Sequence, residues 1–221
     1  MKILITGSAR GIGRAVALRF LEKGHTVVGL DRDAQNTIED PHYTHHVCDI
    51  TCPEQLPVLS DIEAIFHNAG CQNSSDDIRN NLSGTINVNE KYGYGPRIKA
   101  ILFNASASAV SGAEFPLYAA SKAGLIGYMK NTAIKLAPRE ITVNAISLGG
   151  VITESNRSVM EDPTLWDRIM EVTPLKKWMT LEEVADWVEF LILKNRSMSG
   201  ENILIDNGEY KLRDTFVWPG D

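Results

Sequence analysis

The stretch KILITGSARGIG, Lys2 to Gly13, joins an apolar run to a glycine-rich turn and the start of an amphipathic segment. KILIT reads as a buried strand, and Ile12, Val16 and Phe20 then recur every four residues along a helix that Gly24 can terminate. Between them, Thr6-Gly7 opens a turn that ends with Gly11-Ile12-Gly13 at the helix start. Glycines at such places permit positive φ and let the backbone approach a diphosphate, whose charge the helix N-terminus stabilises. The spacing is GxxxGxG rather than GxGxxG, and alone it describes a tight strand-to-helix turn equally well.

Working outward, apolar runs alternate with amphipathic segments, the pattern of a parallel sheet flanked by helices. After KILIT come TVVGL, the stretch from Tyr43 to Cys48, EAIFHNAG, IKAILFNAS, ITVNAIS and ENILID, about seven strands. Helices are expected at 118–136, closed by Pro138, and at 181–193, where Thr180 and Glu183 suit a capping box. Pro163 and Pro174 make 154–179 less regular, and this segment suits a mobile flap. The whole, residues 1–221, reads as one α/β domain with a doubly wound, Rossmann-like parallel sheet. The tail, KLRDTFVWPGD, is too short for a domain.

Composition narrows the function classes. With 43% hydrophobic and 23% charged residues in 221, the chain can bury a sizeable core. A net charge of -6 without a basic run argues against nucleic acid. No apolar stretch approaches the ~20 residues of a membrane span, and Met1 leads straight into KILIT, so the expectation is a cytoplasmic protein without membrane contact. Cys48, Cys52 and Cys71 lack a paired pattern and read as free thiols; His42, His45 and His46 match no ligand spacing, so no metal is expected.

Two further features point to chemistry. Asp31 closes the second strand about twenty residues past the glycine loop, where a carboxylate can accept hydrogen bonds from both ribose hydroxyls and repel a 2'-phosphate. This favours NAD over NADP, although Arg10 and Arg32 are cations that can accommodate that phosphate. Tyr118 and Lys122 in YAASKAGL lie one helical turn apart, so the ammonium can favour the phenolate. Alone, such a pair occurs by chance on many helices; with the glycine loop it specifies hydride transfer.

Together these motifs resemble the short-chain dehydrogenase/reductase family in its single-domain form, over nearly the whole chain, which implies that residues 1–150 are mainly the cofactor-binding and catalytic core and 151–180 the substrate-loop region. TGSARGIG is similar to the family's coenzyme loop, which implies cofactor contacts from Gly7, Ser8, Arg10, Gly11, Ile12 and Gly13. CDI resembles the segment that places Asp49 and Ile50 at the adenine, and NAG, with Asn68, Ala69 and Gly70, the motif beneath the cofactor. By the same resemblance Tyr118 is the acid/base, Lys122 lowers its pKa and holds the nicotinamide ribose, and Asn81 anchors a water in the proton relay. Val151 and Thr153 of GGVIT match the segment whose threonine bonds the carboxamide.

The chain also departs from the family. The catalytic serine's position holds Ala105; Ser106 or Ser108 can replace it, both on one face if the strand runs on, and Ser106 is preferred. Leu148 replaces a proline, Asn207 replaces a glycine, and the short interval from Asn68 to Asn81 implies a trimmed fourth helix. Met160, Trp166 and Met170 are apolar candidates for the substrate pocket. The expected activity is NAD(P)-dependent interconversion of a small-molecule secondary alcohol and ketone by a homodimer or homotetramer. The alternatives are a 3-oxoacyl-thioester (ACP or CoA) reductase using NADPH, and a non-catalytic NAD(H)-sensing protein.

Overall fold

In a computed structural model, which describes residues 1–210 and 212, seven strands form one parallel sheet in the order β3-β2-β1-β4-β5-β6-β7. The tail KLRDTFVWPGD lies outside the described residues except for Leu212. β1 (Lys2–Thr6) is flanked by β2 (Thr26–Asp31) and β4 (Ala64–His67), with Ile5 opposite Gly29 on one side and Phe66 on the other. β3 (Tyr43–Val47) forms one edge, and β5 (Ala100–Asn104), β6 (Thr142–Leu148) and β7 (Asn202–Ile205) extend the other side. Every residue of β4, β5 and β6 is buried, which explains why β4 and β5 read as near-continuous apolar runs, while in β6 the buried Asn144 and Ser147 bond to the Met198 carbonyl and the Asn202 side chain.

Helices cover both faces, and strand alternation sorts the side chains between them. Ile3, Ile5 and Phe66 pack with Val16 and Phe20 of α1 (Gly11–Glu22). Leu4, Ile65 and Ile101 point the other way, toward Val88 of α2 (Thr85–Tyr92) and Leu125 and Met129 of α4 (Pro116–Leu136). α4 begins two residues before the expected boundary because Pro116 occupies its first turn, where no intrahelical N–H is needed. The connection after β4 holds no helix of its own before the π-helical turns Ile78–Gly84, which run into α2. α3 (Ser108–Ser111) fills the short connection between β5 and α4.

The segment 154–179 is more ordered than its prolines suggested. It holds α5 (Arg157–Met160) and α6 (Pro163–Val172), and Pro163 starts α6 rather than breaking it. Asp162 caps that helix, its carboxylate accepting from the Leu165 N–H at 3.0 Å. α7 (Leu181–Glu189) carries the expected capping box, with the Thr180 hydroxyl and Glu183 carboxylate each accepting the other's N–H. It continues through π-helical turns at Phe190–Lys194. Among the described residues no helix is long and apolar enough to cross a membrane. The three cysteines are free, and His45 sets its ring nitrogens against the Tyr43 hydroxyl and the Asp33 carbonyl.

Candidate active site

A cleft of about 730 Å³ lies along the C-terminal ends of the strands. Its floor at β1 is the glycine turn. Gly7 (φ +70) and Gly11 (φ +53) take left-handed conformations, and a Cβ on Gly7 would come 2.9 Å from the Ala69 Cα. Nothing lies within 4 Å of a Cβ position on Gly11, so its backbone faces open cleft. The first turn of α1 has no side-chain cap at Arg10 and no acidic residue. Its orphan N–H groups and positive helix end are therefore left for an anion, and the turn fits the diphosphate of a dinucleotide.

Beside this turn stand Ile12, Asp31, Arg10 and Arg32. The Asp31 carboxylate accepts the Ala9 N–H at 2.9 Å and the Asp33 N–H at 3.0 Å, which holds it against the loop. Ile50 and Asp49 line the next wall; the Thr51 N–H on its carboxylate, aided by the charges of Arg79 and Arg32, holds Asp49 below the usual carboxylate range. Beneath the cleft, the Thr6 hydroxyl accepts from the Asn68 and Ala69 N–H groups at 2.9 and 3.0 Å. Asn68 donates to the carbonyls of Thr6 and Gly7 and accepts from Asn104 at 3.0 Å, tying the ends of β1, β4 and β5 together. Gly70 completes that turn; a Cβ there would meet the Asn81 Oδ1 at 2.8 Å.

Tyr118 lies in the first turns of α4 with Lys122 one turn on. The Lys122 ammonium sits 5.7 Å from the Tyr118 ring centroid, is buried, and donates to the Asn104 carbonyl at 2.8 Å. Burial lowers its pKa to about 8. Burial pushes the Tyr118 phenol up, opposed by hydrogen bonding to Ser106 and reinforced by the charges of Glu114 and Asp77. The phenol is therefore shifted up and not down as Lys122 alone implies, because desolvation of the phenolate dominates.

β5 stops at Asn104, so the strand does not run on to carry both serines on one face. Ser106 lines the cleft with Ala105, whereas Ser108 is wholly buried behind it. Ser108 donates to the Ser106 Oγ from its hydroxyl at 2.8 Å and from its N–H at 3.2 Å. That leaves the Ser106 proton free to point at Tyr118 or a ligand. Val151 and Thr153 form the far wall, where Val151 bridges Met179.

Three expected site residues stand behind the wall rather than in it. Ser8 is buried and hydrogen-bonded to the Tyr43 hydroxyl at 2.9 Å. Gly13 packs α1 onto the turn; a Cβ there would come 2.0 Å from the Gly7 carbonyl oxygen. Asn81 is buried in the π-helical turns, bonded to both backbone groups of Cys71 and to the Ser121 hydroxyl. Its neighbour Asn80 reaches the cleft instead.

The apolar wall is also shifted. Leu165, Ile169 and Trp178 line the cleft in place of Met160, Trp166 and Met170. The residues at 165 and 169 share a face of α6, and Trp166 packs edge-on against Trp178, with ring centroids 5.0 Å apart. Gln72, Glu114, Glu209 and Tyr210 line the cleft without having been expected there. Their sequence surroundings carry no pattern that marks them, since loops from distant parts of the chain bring them together.

Two family models match. One described as "Enoyl-(Acyl carrier protein) reductase" matches residues 89–209, and one described as "NAD dependent epimerase/dehydratase family" matches residues 3–125. Among curated proteins, glucose 1-dehydrogenase of Gluconobacter oxydans (strain 621H) is 27% identical, covering 94% of this chain and 91% of its own. The 3-oxoacyl-[acyl-carrier-protein] reductase FabG of Staphylococcus epidermidis (strain RP62A) is 28% identical, covering 94% and 98%. Among solved structures, an oxidoreductase (short chain dehydrogenase/reductase family) from Burkholderia thailandensis aligns with a TM-score of 0.85 at 28% identity, covering 94% of this chain and 92% of that one.

Proposed function

The chain belongs to the short-chain dehydrogenase/reductase family, and from that premise we propose that it interconverts a secondary alcohol and a ketone with NAD. The observation that carries this reading is the convergence of Tyr118, Ser106 and Lys122 in the same cleft as the glycine turn. When bound there, the nicotinamide cofactor supplies or takes up the hydride. The protein's own residues handle the oxygen. Ser106 donates a hydrogen bond to the substrate oxygen, and the Tyr118 hydroxyl gives it a proton in reduction or takes one in oxidation. Lys122, held by the Asn104 carbonyl, presents a positive charge beneath the phenol and a donor to the nicotinamide ribose. Asn81 fixes Cys71 and Ser121, and so acts by positioning the loop after β4 against α4.

Asp31 supports NAD over NADP, because its carboxylate is already fixed by two backbone N–H groups and faces the cleft. Fluorescence titration of wild type and Asp31→Ala with NADH and NADPH tests this. Tighter NADH binding, weakened about tenfold or more by the substitution, is expected. Tighter NADPH binding by the wild type would contradict it and would favour a second reading, reduction of a 3-oxoacyl thioester. That reading draws on Arg10 and Arg32 beside Asp31 and on the likeness to FabG. The free thiols suit a reducing, cytoplasmic setting. A homodimer or homotetramer would sediment at two or four times the 24.4 kDa of the chain.

A further inference from the structure

The substrate end of the cleft is acidic and rich in acceptors. Glu114, four residues before Tyr118, takes φ +71, a left-handed conformation uncommon outside glycine. Its carboxylate accepts from the Gln72 side-chain amide at 3.2 Å and from the Tyr210 hydroxyl at 3.3 Å. Loops following β4, β5 and β7 thus meet on one side chain at the mouth of the cleft. Glu209 lines the same region. Burial and the nearby charges of Asp206 and Glu114 push its carboxyl up. Among the described residues, the cations that line the cleft are Arg10 and Arg32, beside Asp31, and Lys122, which is buried against the Asn104 carbonyl.

We propose that the substrate is an uncharged polyhydroxylated compound of the sugar or polyol class, with a hydroxyl beyond the reacting carbon bound to Glu114. This rests on the oxidoreductase reading above. Each carboxylate oxygen of Glu114 receives one hydrogen bond and keeps capacity for another, and Glu209 adds acceptors, so the complementary ligand is one that donates. At the exposed Glu114 water competes for the acceptor, so each hydroxyl donor contributes roughly twofold to tenfold in affinity, and a polyol brings several. A single ammonium pairing with the exposed Glu114 contributes at most about fivefold, because water screens it. Several hydroxyls therefore outweigh one cation. A carboxylate or phosphate on the ligand meets the like charge of Glu114 and Glu209 here, and among the described residues no cation stands beside them to receive it. Leu165, Ile169 and Trp178 offer the apolar surface on which the C–H faces of such a compound can rest.

The test compares wild type and Glu114→Gln, each with NAD and NADP, on a polyol, a mono-alcohol, an amino alcohol and a hydroxy acid of equal chain length. The expected result is a wild-type preference for the polyol, and a loss of kcat/KM in Glu114→Gln about tenfold larger for the polyol than for the mono-alcohol. Preference for the amino alcohol or the hydroxy acid, or equal losses on polyol and mono-alcohol, would overturn the proposal. If no alcohol is turned over, calorimetric titration of the polyol into the NADH-saturated protein decides. Binding that Glu114→Gln weakens about tenfold keeps the inference while the oxidoreductase reading fails; absence of binding sinks the inference itself.

Discussion

His67, fully buried at the end of β4, is stacked on Phe103 with ring centroids 4.6 Å apart. Its Nε2 pairs with the Asn89 Oδ1 at 3.2 Å, and burial lowers its pKa to about 4. The folded state therefore binds fewer protons than the unfolded state between about pH 6.5 and 4, so stability is full above that window and falls as pH drops through it. Between pH 7 and 5 this one group should remove about 2 kcal/mol. Urea unfolding at the two pH values should show that drop in wild type and lose most of it in His67→Phe. An identical pH dependence in both proteins would show that the imidazole is not the titrating group. At this scale the residues of Tyr118, Lys122 and Asp31 were legible because spacing ties each to a neighbouring element. Glu114 and Tyr210 were not, since 96 positions separate them and their contact depends on two loops meeting. The direction of the Tyr118 shift was misread for a related reason: the charge of Lys122 is visible in the chain, but the depth at which the phenol sits is not.

Elements show the same division between local and non-local information. The shape of the glycine turn was legible, because the left-handed φ at Gly7 and Gly11 and the close approach at Gly13 each demand the residue that is there, although Ser8 and Gly13 stand behind the cleft wall and not in it. Gly13→Ala should therefore cost about 1–3 kcal/mol by driving a methyl group into the Gly7 carbonyl, and should weaken NADH binding with it. Denaturant unfolding and the NADH titration together check this; a variant as stable and as tight as wild type would mean the turn yields freely. Asn207 illustrates the complement. It stands where the family has glycine and holds φ +56, a conformation that asparagine tolerates better than most residues. The segment 154–179 was read as irregular because a proline usually breaks a helix, yet Pro163 sits where it starts one. In α6 the pocket-facing row is off by one position from the expected one, as only packing against Trp178 decides which face turns inward.

For the whole molecule, strand order explains why these residues meet. From β1 the chain steps outward to β2 and β3 and then crosses back to β4, so the C-terminal ends of β1 and β4 diverge into a crevice. The glycine turn after β1, the Asn68 turn after β4, Ser106 after β5 and Val151 after β6 all open onto it. Parallel topology was readable from apolar runs that alternate with amphipathic segments, and the fully buried runs of β4 and β5 fit a sheet covered on both faces. The central claim is that this crevice places Tyr118 as the proton donor and acceptor of a hydride transfer. The most direct test is Tyr118→Phe, with turnover of secondary alcohols and NADH affinity measured on the same preparations. The account predicts a fall in kcat of about 10²–10⁴-fold with NADH affinity unchanged within about twofold. Turnover retained in the phenylalanine variant would contradict it.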